Sequence, residues 1–395
     1  MDHGTSAGIL RSRRDGPARV TYFELFFDLV FVFAVTQLSH RLLKDLTVSG
    51  AAETLLLLLA VWWAWMYTSW TTNWFNPDHP AVRLVLIAVM LSGLLMSTAL
   101  PEAFEGRGLW FAGAYVAIQV GRTAFVTVAT WRHELGPNFQ RIMAWETAAG
   151  MVWLAGGLGD HRTRPVLWLV ALAAEYVAPW FGYRCPGLGR STTAHWTIDG
   201  SHMAERCQLF VIIALGESLL VTGSTFGNEK AMGAEAVTAF AVAFLGSVAM
   251  WWIYFDRSAE AAATRIANAA DPGRLGRSAY TFSHVPLVAG IIVSAVADEL
   301  VVAHPHGHMT GGTAAALLGG PALFVAGHAL FKRAVFGHFT AARVLALLTL
   351  AVLTPLFGLF SPLGLAVLTL AILGALAGWE VRGRRVRTRP AGEAA

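Results

Sequence analysis

Apolar stretches of about 20 residues, the length that crosses a bilayer as a helix, follow one another along almost the whole chain. A soluble core does not accommodate such a series. "YFELFFDLVFVFAVTQLSH" (22–40) opens it and "PLGLAVLTLAILGALAGWE" (362–380) closes it. Spans are expected at 22–43, 51–72, 81–100, 108–130, 138–158, 165–183, 203–223, 234–256, 279–303, 313–331, 340–359 and 362–380, the last two parted only by Ser361 and Pro362. Of the 395 residues, 55% are hydrophobic and only 14% charged, against about 25% charged in soluble domains. The fold class that follows is all-α: a polytopic membrane protein of about twelve transmembrane helices. Cys185 and Cys207 are too few for a disulfide framework.

Lys and Arg test this map through the positive-inside rule. With the N-terminus in the cytoplasm, 22 of them fall inside and 6 outside, and Arg122 lies within a span. That bias predicts cytoplasmic ends at both termini, in a cytoplasmic (inner) membrane. Residues 1–20 lack the order of a secretory signal and read as a cytoplasmic arm. The basic tail at 382–395 reads as a topology signal that also attracts anionic lipid.

The chain also resembles itself. "AIQVGRTAF" (117–125) aligns with "LFVAGHALF" (323–331), and "RIMAWETAAGMVWLAGGL" (141–158) aligns with "RVLALLTLAVLTPLFGLF" (343–360). "WWAWMY" matches "MWWIYF", His79 matches His284, and Glu24 matches Glu205, all in one order. This predicts two six-helix repeats, 21–185 and 203–381, joined by a cytoplasmic linker at 186–202. An even number of spans per repeat gives both repeats the same orientation, about an axis along the membrane normal.

Ionisable groups inside spans carry the functional expectations. Each costs about 2.5–3.5 kcal/mol at a helix centre on insertion scales, and such groups commonly mark a pathway. Glu24 and Asp28 are four residues apart and share a helix face. They either anchor the inner helix end against Arg of the arm, or form a proton or cation site turned toward the seventh span. Glu217, in "ALGESLL", lies deep in that span, which Glu205 and Arg206 open as an interfacial pair. Arg122 stays charged at any working pH, so it needs a carboxylate among Glu24, Asp28, Glu146, Glu175 and Glu217. The repeat places His328 opposite Arg122. Six acids against one deep Arg would make a shared interior acidic, attracting cations and repelling anions. His284 joins Glu24 and Asp28 as an acid–base candidate near the inner leaflet.

The Trp and Tyr of "WWAWMYTSWTTNW" and "WWIYF" fit an interfacial belt or, alternatively, a wall for an organic cation. His304, His306 and His308 alternate in an outer loop, a weak metal-binding pattern. The sequence carries no nucleotide-binding, nucleophile-elbow or zinc-protease motif. No cofactor, no metal and no nucleic-acid partner are therefore expected.

"YFELFFDLVFVFAVTQLSH" and "AERCQLFVIIALGESLL" resemble the two signatures of the bacterial low temperature requirement protein A family. The resemblance extends over roughly 20–380 and implies a multi-span membrane protein linked by name to growth in the cold. A weaker similarity reaches the lysosomal two-repeat potassium channels, whose repeats open on a Phe-Ser-Asp signature. Phe27-Asp28 lacks that Ser, and Leu209 stands where the second Asp would be.

These readings converge on a proton- or cation-coupled secondary transporter or permease with its site between the repeats. A cation channel and a membrane enzyme acting on lipid are the alternatives. The expected partners are the bilayer, a proton or monovalent cation, a small-molecule cargo and a second copy of the chain.

Overall fold

The computed structural model describes residues 8–11, 19–191, 198–228, 233–255 and 258–387. Most of the basic tail and parts of the arm and linker lie outside them. The described residues form helices and no β-strand; two isolated bridges, Leu10 with Phe75 and Cys185 with Gly189, are the nearest approach to one. In chain order the helices are α1 (Tyr22–Lys44), α2 (Val48–Trp74), α3 (Pro80–Ala99), α4 (Gly108–Ala129), α5 (Gly136–Leu158), α6 (Thr163–Val177) and α7 (Gly200–Asn228). Then come α8 (Ala234–Tyr254), α9 (Ser258–Ala267), α10 (Pro272–Gly276), α11 (His284–Ala303), α12 (Gly311–Phe336), α13 (Ala341–Leu353) and α14 (Pro362–Arg387).

Among the described residues, ten helical segments are long and apolar enough to cross a membrane. α5 and α6 are not among the ten. Asn138, Arg141 and Glu146 dilute the apolar content of α5, and α6 has only 15 residues. Exposed Leu84 and Leu91 on α3, Val166 and Leu169 on α6, and Leu345 and Leu348 on α13 form apolar faces suited to lipid rather than water.

The chain divides into two compact units. The first comprises Met1–Ile213 and Ala263–Thr281. Within it α1 packs on α2 and α3, α4 on α3 and α5, and α2 also meets α4 and α6. Its core is aromatic: Trp62, Trp63, Trp65, Trp153 and Trp168 are fully buried with Phe27, Phe31 and Tyr115. The interfacial-belt expectation therefore fails for α2. A helix flanked by α1, α4 and α6 turns its indoles into protein, and Trp63 stacks on Tyr176 at 4.1 Å. Trp251 and Trp252 on α8 are 45% and 48% exposed, as lipid-facing rings would be.

The second unit comprises Ala214–Ala262 and Phe282–Ala395. Its tightest pair is α11 with α12. Gly290 faces the backbone of Phe324, Gly320 faces Ser294, and Gly327 faces Leu287, none with room for a β-carbon. Small residues let membrane helices approach backbone to backbone. Pro321 lies inside the continuous helix α12, and Gly337 ends it in the left-handed region at φ +87°.

Candidate functional site

The opening stretch of α1 begins with a capping box. Thr21 Oγ1 accepts from the Glu24 N–H at 3.3 Å, and Glu24 Oε2 accepts from the Thr21 N–H at 2.9 Å. Glu24 thus has a local task at the helix start, and that task points its carboxylate inward, fully buried. Arg11 of the arm reaches Oε2 at 2.9 Å. On the other oxygen His202 Nε2 lies at 2.9 Å and Arg206 Nη1 at 3.2 Å.

The hydrogen bonds also set the tautomer of His202. Asn73 Nδ2, a donor only, sits 3.2 Å from Nδ1, so Nδ1 accepts and Nε2 carries the proton given to Glu24. Asn73 is itself oriented by Asp199, whose N–H it accepts at 2.9 Å.

One turn further along α1, Asp28 Oδ1 takes Arg206 Nη2 at 2.5 Å and the Trp65 indole N–H at 2.7 Å. Asp28 Oδ2 is buried and has no hydrogen-bond partner. Arg206 also lies over the rings of Phe27 and Trp65, at 5.4 and 5.8 Å. The shared face of Glu24 and Asp28 therefore turns inward, onto the first two turns of α7. Arg206 is not an interfacial partner of Glu205. α7 begins at Gly200, which carries Arg206 nearly two turns inside, where none of its surface is exposed.

A second polar cluster joins α4, α5 and α6. Arg122 Nη2 lies 3.4 Å from Glu146 Oε2, which also accepts from Thr123 at 3.3 Å. Nη1 of the same Arg donates to Thr68 Oγ1 at 3.2 Å, and the guanidinium covers the Tyr67 ring at 5.4 Å. Glu175 is held separately, by the Tyr115 hydroxyl at 2.6 Å and the Trp153 indole at 3.2 Å. The deep Arg thus has its carboxylate. Arg206, buried beside Glu24 and Asp28, is a second deep cation that a count of one deep Arg left out.

Arg122 also lines a cavity of about 870 Å³ of empty space, mouth included, entirely within the first unit. Trp63, Tyr67, Trp70, Trp74, Phe139 and Tyr183 make its walls aromatic. Tyr67 and Tyr183 join hydroxyl to hydroxyl across it. Arg277 is its second cation, anchored on the Pro179 carbonyl at 3.1 Å and stacked on Trp180. Among the described residues, no Asp or Glu lines it.

The remaining sequence candidates lie apart from these two clusters. Glu205 is half-buried and accepts the Val20 N–H at 3.0 Å. Glu217 is half-buried on the part of α7 that belongs to the second unit. His284 and His328 are buried in that unit, with Tyr254 Oη 2.9 Å from His284 Nε2 and Arg343 3.3 Å from His328 Nδ1. Arg343 and Lys332 both hold Glu380, at 2.5 and 3.5 Å. Sequence reasoning missed His202, Arg206 as a deep group, Arg343 and Glu380. Of these, Arg206 carried a usable signal: helix spacing from a start at Gly200 puts it on a face with His202. Of the alternating outer His, His306 sits 3.4 Å from Glu235, and no metal-type group of three ligands occurs among the described residues.

Comparison with known proteins gives a family. The family described as "Bacterial low temperature requirement A protein (LtrA)" matches residues 19–378. The chain is similar to the uncharacterized protein RA0937 of Rhizobium meliloti (strain 1021), with 40% identity over 374 residues that cover 94% of this chain and 91% of that one.

Proposed function

The chain belongs to the bacterial low temperature requirement A family, and from that premise we propose a twelve-span, cation-coupled secondary transporter of the bacterial inner membrane. Its cargo would be a small organic anion with an aromatic or apolar body. The observation that carries this reading is the Arg122–Glu146 pair, buried between apolar helices with its Arg side on the wall of an aromatic cavity. An Arg held by one carboxylate can exchange it for another. A proton placed on Glu146 would release the guanidinium to a cargo carboxylate, while Trp63, Trp70 and Trp74 would enclose the cargo's body. Two Arg on the cavity wall, one of them held by an exchangeable Glu146, favour an anion over the organic cation considered for the aromatic wall.

Twelve crossings are supported by lengths. α5 spans about 34 Å at 1.5 Å per residue, and α6 with its 3₁₀ continuation through Phe181 spans about 30 Å. Both match a hydrocarbon core of about 30 Å. Charge bias favours both ends in the cytoplasm. Two parallel repeats draw support from matched pairs. Arg122 of α4 bonds to α5, and His328 of α12 bonds to Arg343 of α13. Glu175 on α6 and Glu380 on α14, 205 residues apart, each end such a cluster.

A cation channel is disfavoured by Asp28, whose Oδ1 is taken by Arg206 and Trp65 rather than offered to a passing ion. The test is reconstitution in liposomes with a pH-sensitive dye inside. Aromatic carboxylates should move protons in a saturable manner, and Arg122→Gln should abolish the movement. Ion flux that needs no cargo and does not saturate would sink the transporter in favour of a channel.

A further inference from the structure

The second unit contains a carboxylate that no sequence argument singled out. Asp298 lies on α11 and, among the described residues, has neither a hydrogen-bond nor an ion-pair partner. It lines a cavity of about 390 Å³ of empty space, mouth included, between α8, α11, α12 and α14. Ser294, one turn earlier on α11, lines the same cavity. It is 5% exposed, and its hydroxyl is buried without a partner. Leu317 and Pro321 of α12 and Thr369 of α14 also line it. Pro321 has no N–H to give the carbonyl of Leu317, so the helix leaves that oxygen without its usual donor. The Thr369 hydroxyl donates to the Leu365 carbonyl at 2.9 Å, which leaves its own oxygen able to accept. The rest of the lining is apolar, Val242, Met250, Leu370 and Leu373 among it, and among the described residues no Lys, Arg or His contributes.

We propose that this cavity is a binding site for a small monovalent cation, Na⁺ in the first instance, with Asp298, Ser294, Thr369 and the carbonyl of Leu317 as its oxygen ligands. The donor set decides the class. It contains oxygen alone, with no sulfur or imidazole, which suits a hard cation over a transition metal. Its single carboxylate balances a single charge, whereas Ca²⁺ and Mg²⁺ sites usually draw on more carboxylates or on phosphates. A backbone carbonyl freed within a membrane helix is a kind of Na⁺ ligand met in several transporter architectures, and Pro321 frees one while α12 stays continuous. Gly320 sets the geometry: with no β-carbon it rests directly on Ser294 and fixes that hydroxyl one residue from Pro321. An unpaired carboxylate inside an apolar helix is costly, and a bound cation removes that cost without a basic side chain. The site deepens the transport reading by adding Na⁺ as a second coupling ion beside the proton on Glu146, and it rests on that reading for its purpose though not for its detection.

The experiment is thermal unfolding of the full-length purified protein in detergent. NaCl is titrated against N-methyl-D-glucamine chloride at constant ionic strength. Tm should rise with Na⁺ along a saturating curve, as mass action requires. The rise should vanish in Asp298→Asn. In Ser294→Ala it should need about tenfold more Na⁺, the loss of roughly one ligand's hydrogen-bond-scale contribution. Direct ²²Na⁺ binding to Ser294→Ala and wild-type protein checks the same shift if Asp298→Asn does not fold. Absence of a Na⁺ effect in the wild type overturns the site, as does a Ser294→Ala curve identical to the wild type. Saturable Na⁺ binding in a protein that moves no cargo would keep the site and remove the transporter. Cargo movement with no Na⁺ binding would do the reverse.

Discussion

In the first unit Glu24 meets His202, Arg11 and Arg206, Asp28 meets Arg206 and Trp65, Glu146 meets Arg122, and Glu175 meets Tyr115 and Trp153. In the second unit Glu380 is held the same way by Arg343 and Lys332, but Asp298 meets no such partner. Both arrangements place carboxylates among apolar helices. A carboxylate with a fixed counter-charge stabilises its neighbours and resists exchange. One without it depends on something mobile. The difference separates groups that hold the bundle from groups that wait for an ion, and mutation can probe that division.

The largest effect is expected at Arg206. It is the sole cation on Asp28 and one of three basic groups on Glu24. Arg206→Met should destabilise the protein by about 3–5 kcal/mol, as when one partner of a buried pair is removed. Arg206→Lys should recover part of that, since a single ammonium cannot serve both carboxylates as the guanidinium fork does. Unfolding in detergent and membrane abundance would measure it. A loss under about 1 kcal/mol would mean that Asp28 is compensated elsewhere and that the comparison misassigns it.

Arg122 and Glu146 come next. Their contact is looser, 3.4 Å, and it faces a cavity. Arg122→Gln and Glu146→Gln should each lower stability, and the double variant should be more stable than the two losses added together. A coupling of about 1–3 kcal/mol in the double-mutant cycle is expected. Additive losses would show that the two groups are held by other partners, and exchange at this pair would then fail as a transport step.

Asp28→Asn should have a smaller effect, about 1–3 kcal/mol for a lost charge-assisted bond. The amide keeps the Trp65 contact through its oxygen. Stability should therefore fall modestly while cargo movement, measured in liposomes, continues, as for a carboxylate held by a fixed counter-charge; arrest would place Asp28 on the transport pathway. Cargo movement at the wild-type rate from folded Asp28→Asn would leave Asp28 a structural group only.

Much of this was legible in the sequence, for reasons that can be stated residue by residue. Long apolar runs leave few options in folding, so the helical membrane architecture followed from them directly. Arg122 could be assigned an acidic partner because guanidinium does not lose its charge. Other features depended on packing that a linear reading does not contain. Arg206 was misjudged because it stood beside Glu205 at what looked like a helix start; α7 begins earlier, at Gly200. The indoles of α2 read as a belt because Trp enrichment looks alike whether a helix borders lipid or lies at the centre of a bundle. α5 and α6 read as ordinary spans by apolar content, yet one is diluted by polar residues and the other ends early in a 3₁₀ turn. Asp298 drew no notice because "ADEL" near a helix end resembles an interfacial acid, and the partner it lacks becomes visible only with the neighbouring helices in place.

The smallest expected effect has the opposite sign, and it is the most direct test of the division between held and waiting carboxylates. In Na⁺-free buffer Asp298→Asn removes a charge that no side chain compensates, while the amide keeps the volume. Asp298 is half-buried, so stability should stay level or rise by no more than about 1 kcal/mol, the scale of a substitution that breaks no native contact. Glu380→Gln, in the same unit, removes a carboxylate that Arg343 and Lys332 both reach, so it should lower stability under the same conditions. The two substitutions alter the same chemical group in the same unit, so a difference in sign would come from pairing and not from the unit in which the residue lies. If both variants lose stability alike, Asp298 has a counter-charge after all. Added Na⁺ then decides again: it should raise the wild type and Glu380→Gln, and leave Asp298→Asn where it was.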